Sequence, residues 1–209
     1  NYPHMPTGTT GDQTILSALV AFAKKHSILL INDNPYSFIL NEQPSSIFNI
    51  QGAKEVCLEL NSLSKTFNMA GWRVGMLTGS AQHLQNVIKV KSNMDSGMFY
   101  GIQKGAVEAL NSSKNWFHDL NKIYEERRAL VWELVTALNC TFETTTSGMF
   151  VWAKLPSEIK SETFIDSLLH EHHIFIAPGT IFGSNGEGYI RFSLCAPKES
   201  IQLAINRVL

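Results

Sequence analysis

Two short apolar runs, Ile28-Leu29-Leu30-Ile31 and Val56-Cys57-Leu58-Glu59-Leu60, each give way to polar residues, and this pattern constrains the fold more than any other. Runs this short, bounded by turn-forming residues, read as strands, and the first as a buried parallel one. The first delivers Asp33 just past its C-terminal end, and the second delivers Ser62 to Lys65 to the loop that follows. Open α/β sheets bind ligands at that edge. A third strand is expected over 74–79, and helices over 12–26, 81–92 and 100–111. In the first helix Asp12 is the cap, and Ile15, Leu16, Leu19, Val20 and Phe22 form an apolar side. The order of elements suits a parallel-sheet α/β domain over residues 1–114.

Residues 115–138 read as one long helix. Ile123, Val131, Leu134, Val135 and Leu138 recur at helical spacing, with charges at Lys122, Glu125, Glu126, Arg127 and Arg128. A strand near 149–154, a helix near 162–170, strands near 174–177 and 188–194, and a closing helix from Lys198 make residues 115–209 an α+β unit. Ser147-Gly148 and Pro178-Gly179 mark turns.

A formal charge of −1 gives no broad basic face for nucleic acid. No apolar run approaches the length of a membrane span. Cys57, Cys140 and Cys195 are widely spaced and form no CxxC pair, which fits a reducing cytoplasm.

The chemistry concentrates in Ser62-Leu63-Ser64-Lys65-Thr66-Phe67-Asn68-Met69-Ala70-Gly71-Trp72-Arg73-Val74-Gly75. A lysine can form a Schiff base with an aldehyde cofactor. Neighbouring hydroxyls and an arginine suit a phosphate. Together they describe a site for pyridoxal phosphate (PLP). Gly71 and Gly75 are expected to serve tight backbone geometry, and Trp72 packing.

This run resembles the lysine motif of the class I/II, fold-type I, aminotransferases, and three further stretches match the family in order. Asn1-Tyr2-Pro3-His4-Met5-Pro6-Thr7-Gly8 resembles its Asn-Pro-Thr-Gly signature. Asp33-Asn34-Pro35-Tyr36 resembles the Asp-x-x-Tyr that touches the pyridine ring, and Tyr189-Ile190-Arg191-Phe192-Ser193 the strand whose arginine holds the substrate carboxylate. The resemblance implies transfer of an amino group between an α-amino acid and a 2-oxo acid through a Schiff base on Lys65. It gives Asp33 the pyridine nitrogen, Tyr36 the ring O3′, Ser62, Ser64 and Arg73 the phosphate, and Arg191 the substrate α-carboxylate. It also implies the second half of a large PLP-binding domain in 1–114, a linking helix and small domain in 115–209, and a cytoplasmic homodimer. The chain would then be the C-terminal part of a longer polypeptide, inactive alone. The same motifs occur in fold-type I lyases and in PLP-sensing domains of transcription regulators, and the substrate is left open.

Met5 departs from the family, which has asparagine immediately before Pro-Thr-Gly with its amide on O3′. A thioether cannot donate that bond; the adjacent His4 is a candidate substitute. No metal site is expected. His170, His172 and His173 lack Cys or carboxylate support beyond Glu171 and fit a helix-to-strand junction. Residues 183–188 are glycine-rich but lack a P-loop lysine and read as a loop before the arginine strand. Asn111-Ser112-Ser113 fits the glycosylation pattern and says nothing about a cytoplasmic protein.

Overall fold

In the computed structural model, which describes residues 1–156 and 159–209, the chain divides into two units. Unit 1 comprises Asn1–Pro3 and Thr10–Phe117; unit 2 comprises His4–Thr9 and His118–Leu209. Among the described residues no helix is long and apolar enough to cross a membrane.

In unit 1 the Asp12 carboxylate accepts from Ile15 N at 2.7 Å and starts α1 (Gln13–Lys25). The helix buries Leu16, Val20 and Ala23, while Ile15 and Phe22 are exposed. β1 (Leu30–Asp33) and β2 (Cys57–Ser62) run parallel, with Asp33 beside Leu60. Between them lie a 3-10 turn and the one-turn helix α2 (Ala53–Val56). Leu16, Val20, Ile47, Ile50, Ala53 and Cys57 form the core. β1 begins two residues later than expected and is not buried: Ile28, Leu29 and Ile31 are exposed. It lies at one edge of the sheet β1-β2-β3.

The one-turn helix α3 (Leu63–Thr66) and a 3-10 turn at Ala70–Trp72 then reverse the chain. β3 (Gly75–Gly79) therefore pairs antiparallel with β2, with Ser62 opposite Gly75. The sequence suits a mostly parallel sheet and leaves the direction of this strand open; it runs antiparallel because the 63–74 connection holds no crossover helix to carry the chain back to the start of β2. α4 (Ala81–Met94) is capped by Ser80 and followed by α5 (Tyr100–Leu110); neither buries a residue.

In unit 2, α6 (Lys114–Ala137, unit 2 from His118 on) buries Leu120, Tyr124, Val131, Leu134 and Val135. Ile123, expected on that face, is exposed. The sheet runs β4-β5-β7-β6 and every pairing is antiparallel: β4 (Thr141–Phe142), β5 (Phe150–Lys154), β6 (Ala177–Pro178), β7 (Tyr189–Ser193). Its buried face carries Val151, Ala153, Ile190 and Phe192, alternating with outward residues as a half-buried sheet requires. α7 (Ser161–His172) and α8 (Lys198–Val208) bury Ile165, Leu168, Ile201 and Ile205. The strand expected over 174–177 shrinks to Ala177 and Pro178, the residues that pair with β7.

Candidate active site

The parallel pairing of β1 and β2 sets the site in unit 1. Asp33 ends β1 beside Leu60, Ser62 ends β2, and Lys65 follows on α3, so all three leave the same end of the two strands. Strand alternation turns Asn32 and Asn34 inward, 6% and 2% exposed, and leaves Asp33 exposed between them. Tyr36 lies in the following turn, half-buried, and its carbonyl accepts from Ile39 N at 3.0 Å. Lys65 is half-buried.

Ser62 also has a structural task that its residue type alone does not give. Its Oγ caps α3, accepting from Ser64 N at 3.1 Å and lying 2.8 Å from Ser64 Oγ. Arg73 is exposed, adopts the left-handed conformation at φ 55°, and spends Nη1 on Ala70 O at 2.9 Å. Gly75 has a packing reason, since a Cβ would lie 2.8 Å from Asn61 O. Gly71 has none: nothing lies within 4 Å of its missing Cβ, so the tight geometry expected there is absent. The Trp72 ring packs over Gly105 of α5, where a Cβ would meet it at 2.4 Å.

The donor set fits PLP. Two adjacent hydroxyls and a guanidinium with further donors suit a phosphate, an amine on the same loop suits an aldehyde, and an exposed carboxylate on the neighbouring strand suits a pyridinium. Missed in the sequence is the buried support behind this edge. Glu59, 8% exposed, accepts from Asn32 Nδ2 at 2.8 Å, Ser46 Oγ at 2.8 Å and Ile47 N at 2.9 Å. The rings of Phe38 and Phe67 both meet Phe117, at 5.4 and 5.7 Å, and Trp116 donates to Thr66 O at 2.9 Å. Nothing local in the sequence signals these partners.

Arg191 belongs to unit 2, half-buried on the side of β7 opposite Ile190 and Phe192. Its guanidinium carbon lies 4.1 Å from the Phe150 ring centroid and 4.5 Å from that of Phe182. Its Nη1 donates to Met5 Sδ at 3.3 Å. His4 is occupied with Thr7, Nδ1 to Oγ1 at 2.8 Å, and burial lowers its pKa below the ordinary histidine value. His172 Nδ1 sits 2.7 Å from Arg207 O, and His173 closes α7 in the left-handed conformation.

Residues 1–208 match the family model for aminotransferase class I and II, and the chain belongs to that family, which is PLP-dependent. It is 38% identical over its whole length to an LL-diaminopimelate aminotransferase of Maridesulfovibrio salexigens, and 39% to one of Natranaerobius thermophilus, covering 54% of each. Among solved structures it superposes on BacF from Bacillus subtilis with a TM-score of 0.93 at 36% identity, covering all of this chain and 54% of that one. A probable N-succinyldiaminopimelate aminotransferase from Thermus thermophilus gives 0.92 at 32%, covering 100% and 56%. The chain thus spans about half the length of the relatives it matches.

Proposed function

We propose that the full-length protein carrying this chain transfers an amino group between an α-amino acid and a 2-oxo acid, with PLP held by Lys65. The carrying observation is the register of β1 and β2, which brings the Asp33 carboxylate and the Ser62–Lys65 loop to one sheet edge.

When bound, PLP supplies a ring that accepts the electrons released as the substrate Cα–H bond ionises. The residues of the chain do the rest. Lys65 Nζ would tie the aldehyde cofactor to the protein and, as a free amine, would carry the proton taken from the substrate Cα. The Asp33 carboxylate keeps the pyridine nitrogen protonated. The Tyr36 hydroxyl donates to O3′. Ser62, Ser64 and Arg73 hold the phosphate, the arginine through its forked donors. Arg191 pairs with the α-carboxylate and holds Cα–H in the orientation where cleavage is easiest. In this reading unit 1 is the second part of the large domain, unit 2 is centred on the small domain, and the protein is a cytoplasmic homodimer. LL-diaminopimelate, which names several relatives, is the first amino donor to assay.

The test is the visible absorption of the full-length protein with PLP beside Lys65→Ala, followed by product analysis. A cofactor band that depends on Lys65 and changes on addition of an amino acid, with turnover requiring a 2-oxo acid, is the expected result. Ammonia and a 2-oxo acid released without an acceptor would replace transfer with elimination. No band in either protein would overturn the cofactor assignment.

A further inference from the structure

We propose that Met5 is a positioning residue for Arg191, its thioether fixing one edge of the guanidinium that lies over the rings of Phe150 and Phe182. The inference rests on the assignment of Arg191 to the substrate α-carboxylate.

A guanidinium is a flat cation with donors around its edge and none on its faces. The rings of Phe150 and Phe182, 4.1 and 4.5 Å from the guanidinium carbon, take up cation–π positions. Met5 Sδ accepts from Nη1 at 3.3 Å. Cation–π attraction holds the guanidinium over the rings with little directional demand, and the sulfur contact at Nη1 adds a directional restraint at one edge. None of these three partners carries a charge, so none of them neutralises the cation that a carboxylate needs. Sulfur is a weak acceptor, and the contact orients without competing strongly for the donors.

Each partner is itself fixed. Phe150 is diagonal to Arg191 across β5 and β7, where Trp152 faces Arg191 and Phe150 faces Ser193, a spacing an aromatic side chain reaches. Phe182 ends the first of two turns, Gly179–Phe182 and Ser184–Gly186, that pack backbone to backbone: a Cβ on Gly179 would lie 2.1 Å from Gly186 O, and one on Gly186 2.0 Å from Gly179 O. The Trp152 ring meets Phe182 edge-on at 5.8 Å and stacks on Tyr189 at 5.2 Å. The Met5 segment is tied by His4 N to Thr9 O at 2.8 Å, Gly8 N to His4 O at 2.7 Å and Ser147 N to Gly8 O at 2.9 Å.

The experiment uses the full-length holoenzyme as parent, Met5→Leu, Met5→Gln and Arg191→Gln. Leucine conserves volume without an acceptor; glutamine keeps both reach and acceptor. For each, kcat/KM is measured with an α-amino acid and with the amine lacking its carboxylate, and the Kd of propionate by calorimetry. Met5→Leu should lower the acid-to-amine ratio about five-fold, mainly through KM for the acid, and weaken propionate by a similar factor, while Met5→Gln keeps both near the parent. Equal losses on both substrates, or no loss, would overturn the role of Met5. Arg191→Gln should lower the ratio further. A ratio unmoved by Arg191→Gln would instead remove the carboxylate assignment beneath the proposal, whereas a ratio moved by Arg191→Gln but not by Met5→Leu overturns the Met5 role alone.

Discussion

Replacing Glu59 separates the two ways its buried position can matter, as volume or as an acceptor. The carboxylate is 8% exposed and serves three donors: Asn32 Nδ2, Ser46 Oγ and Ile47 N. Glu59→Leu keeps most of the volume and strips all three. Each buried donor left without a partner costs about 1–3 kcal/mol. Leucine's own burial returns about 1.5–3 kcal/mol. At the middle of these ranges the net loss is about 4 kcal/mol, in line with breaking a buried charge-assisted cluster. Glu59→Gln should cost far less. Its amide oxygen can take the Oε2 position and still accept from Asn32 and Ile47, while the Ser46 hydroxyl turns to accept from the new N–H. Only the charge assistance is lost, about 1–2 kcal/mol. Urea titration of the full-length apoprotein, read by amide hydrogen exchange at Ile47 and along β1 and β2, avoids assuming that both units unfold in one step. Equal losses for the two variants, or a leucine variant within about 1 kcal/mol of the parent, would refute the acceptor argument. Asn32 precedes Asp33 and Glu59 lies on the strand that ends at Ser62, so the leucine variant should also release PLP faster.

Three further outcomes follow from unit-level details. Cys195 is exposed and should react with a soluble maleimide in the native protein, whereas Cys57 and Cys140 should react only on unfolding, seen by peptide mapping; burial raises both thiols, Cys140 to about 11. Glu187 accepts from Ser161 N at 2.7 Å and Gly188 N at 3.0 Å, and these bonds hold its pKa below the ordinary carboxylate value. A lowered folded pKa contributes stability above the unfolded value that is lost as pH falls through the folded one, so the parent should lose more stability than Glu187→Gln across the acid range. A difference that does not change with pH would contradict this. Gly186→Ala puts a Cβ 2.0 Å from Gly179 O and should cost about 2–3 kcal/mol, lowering exchange protection of the Ile190 and Phe192 amides.

Local signals made some elements legible. Asp12 as a cap and the spacing of Leu16 and Val20 locate α1 within a residue at each end, and the apolar positions of α6 recur as a helix requires. Strand direction was not legible, because apolar content is the same whichever way a strand runs. Direction came from the 63–74 connection, whose short turns reverse the chain. Burial was read too strongly in β1, since an apolar run shows only that a strand can be buried; here one side of the edge strand, at Ile31, is exposed. In the same way Ile174-Phe175-Ile176 has strand composition, but pairing with β7 reaches only Ala177 and Pro178.

The same division runs through the site. Ser62, Ser64, Lys65 and Arg73 lie in one run, so their residue types and spacing carried the cofactor reading without a fold. Support from distant chain was invisible: Glu59 draws on Asn32, Ser46 and Ile47, and the Arg191 partners come from β5, from the turn before β7 and from position 5, 186 residues away. Met5 shows what this costs. Read alone, it is an asparagine lost, and with it a donor to O3′. Read in the fold, its sulfur lies against the guanidinium of Arg191. Under the proposed assignments the substitution would leave the O3′ contact to Tyr36 while giving the arginine a soft acceptor, so an engineered Met5→Asn should restore the first and alter the second. Asparagine is shorter than methionine, and its amide need not reach Nη1. The expected result is a shift in the visible spectrum of bound PLP together with a weaker preference for carboxylate-bearing substrates. If only the spectrum moves, the two roles are separable and the arginine does not depend on position 5.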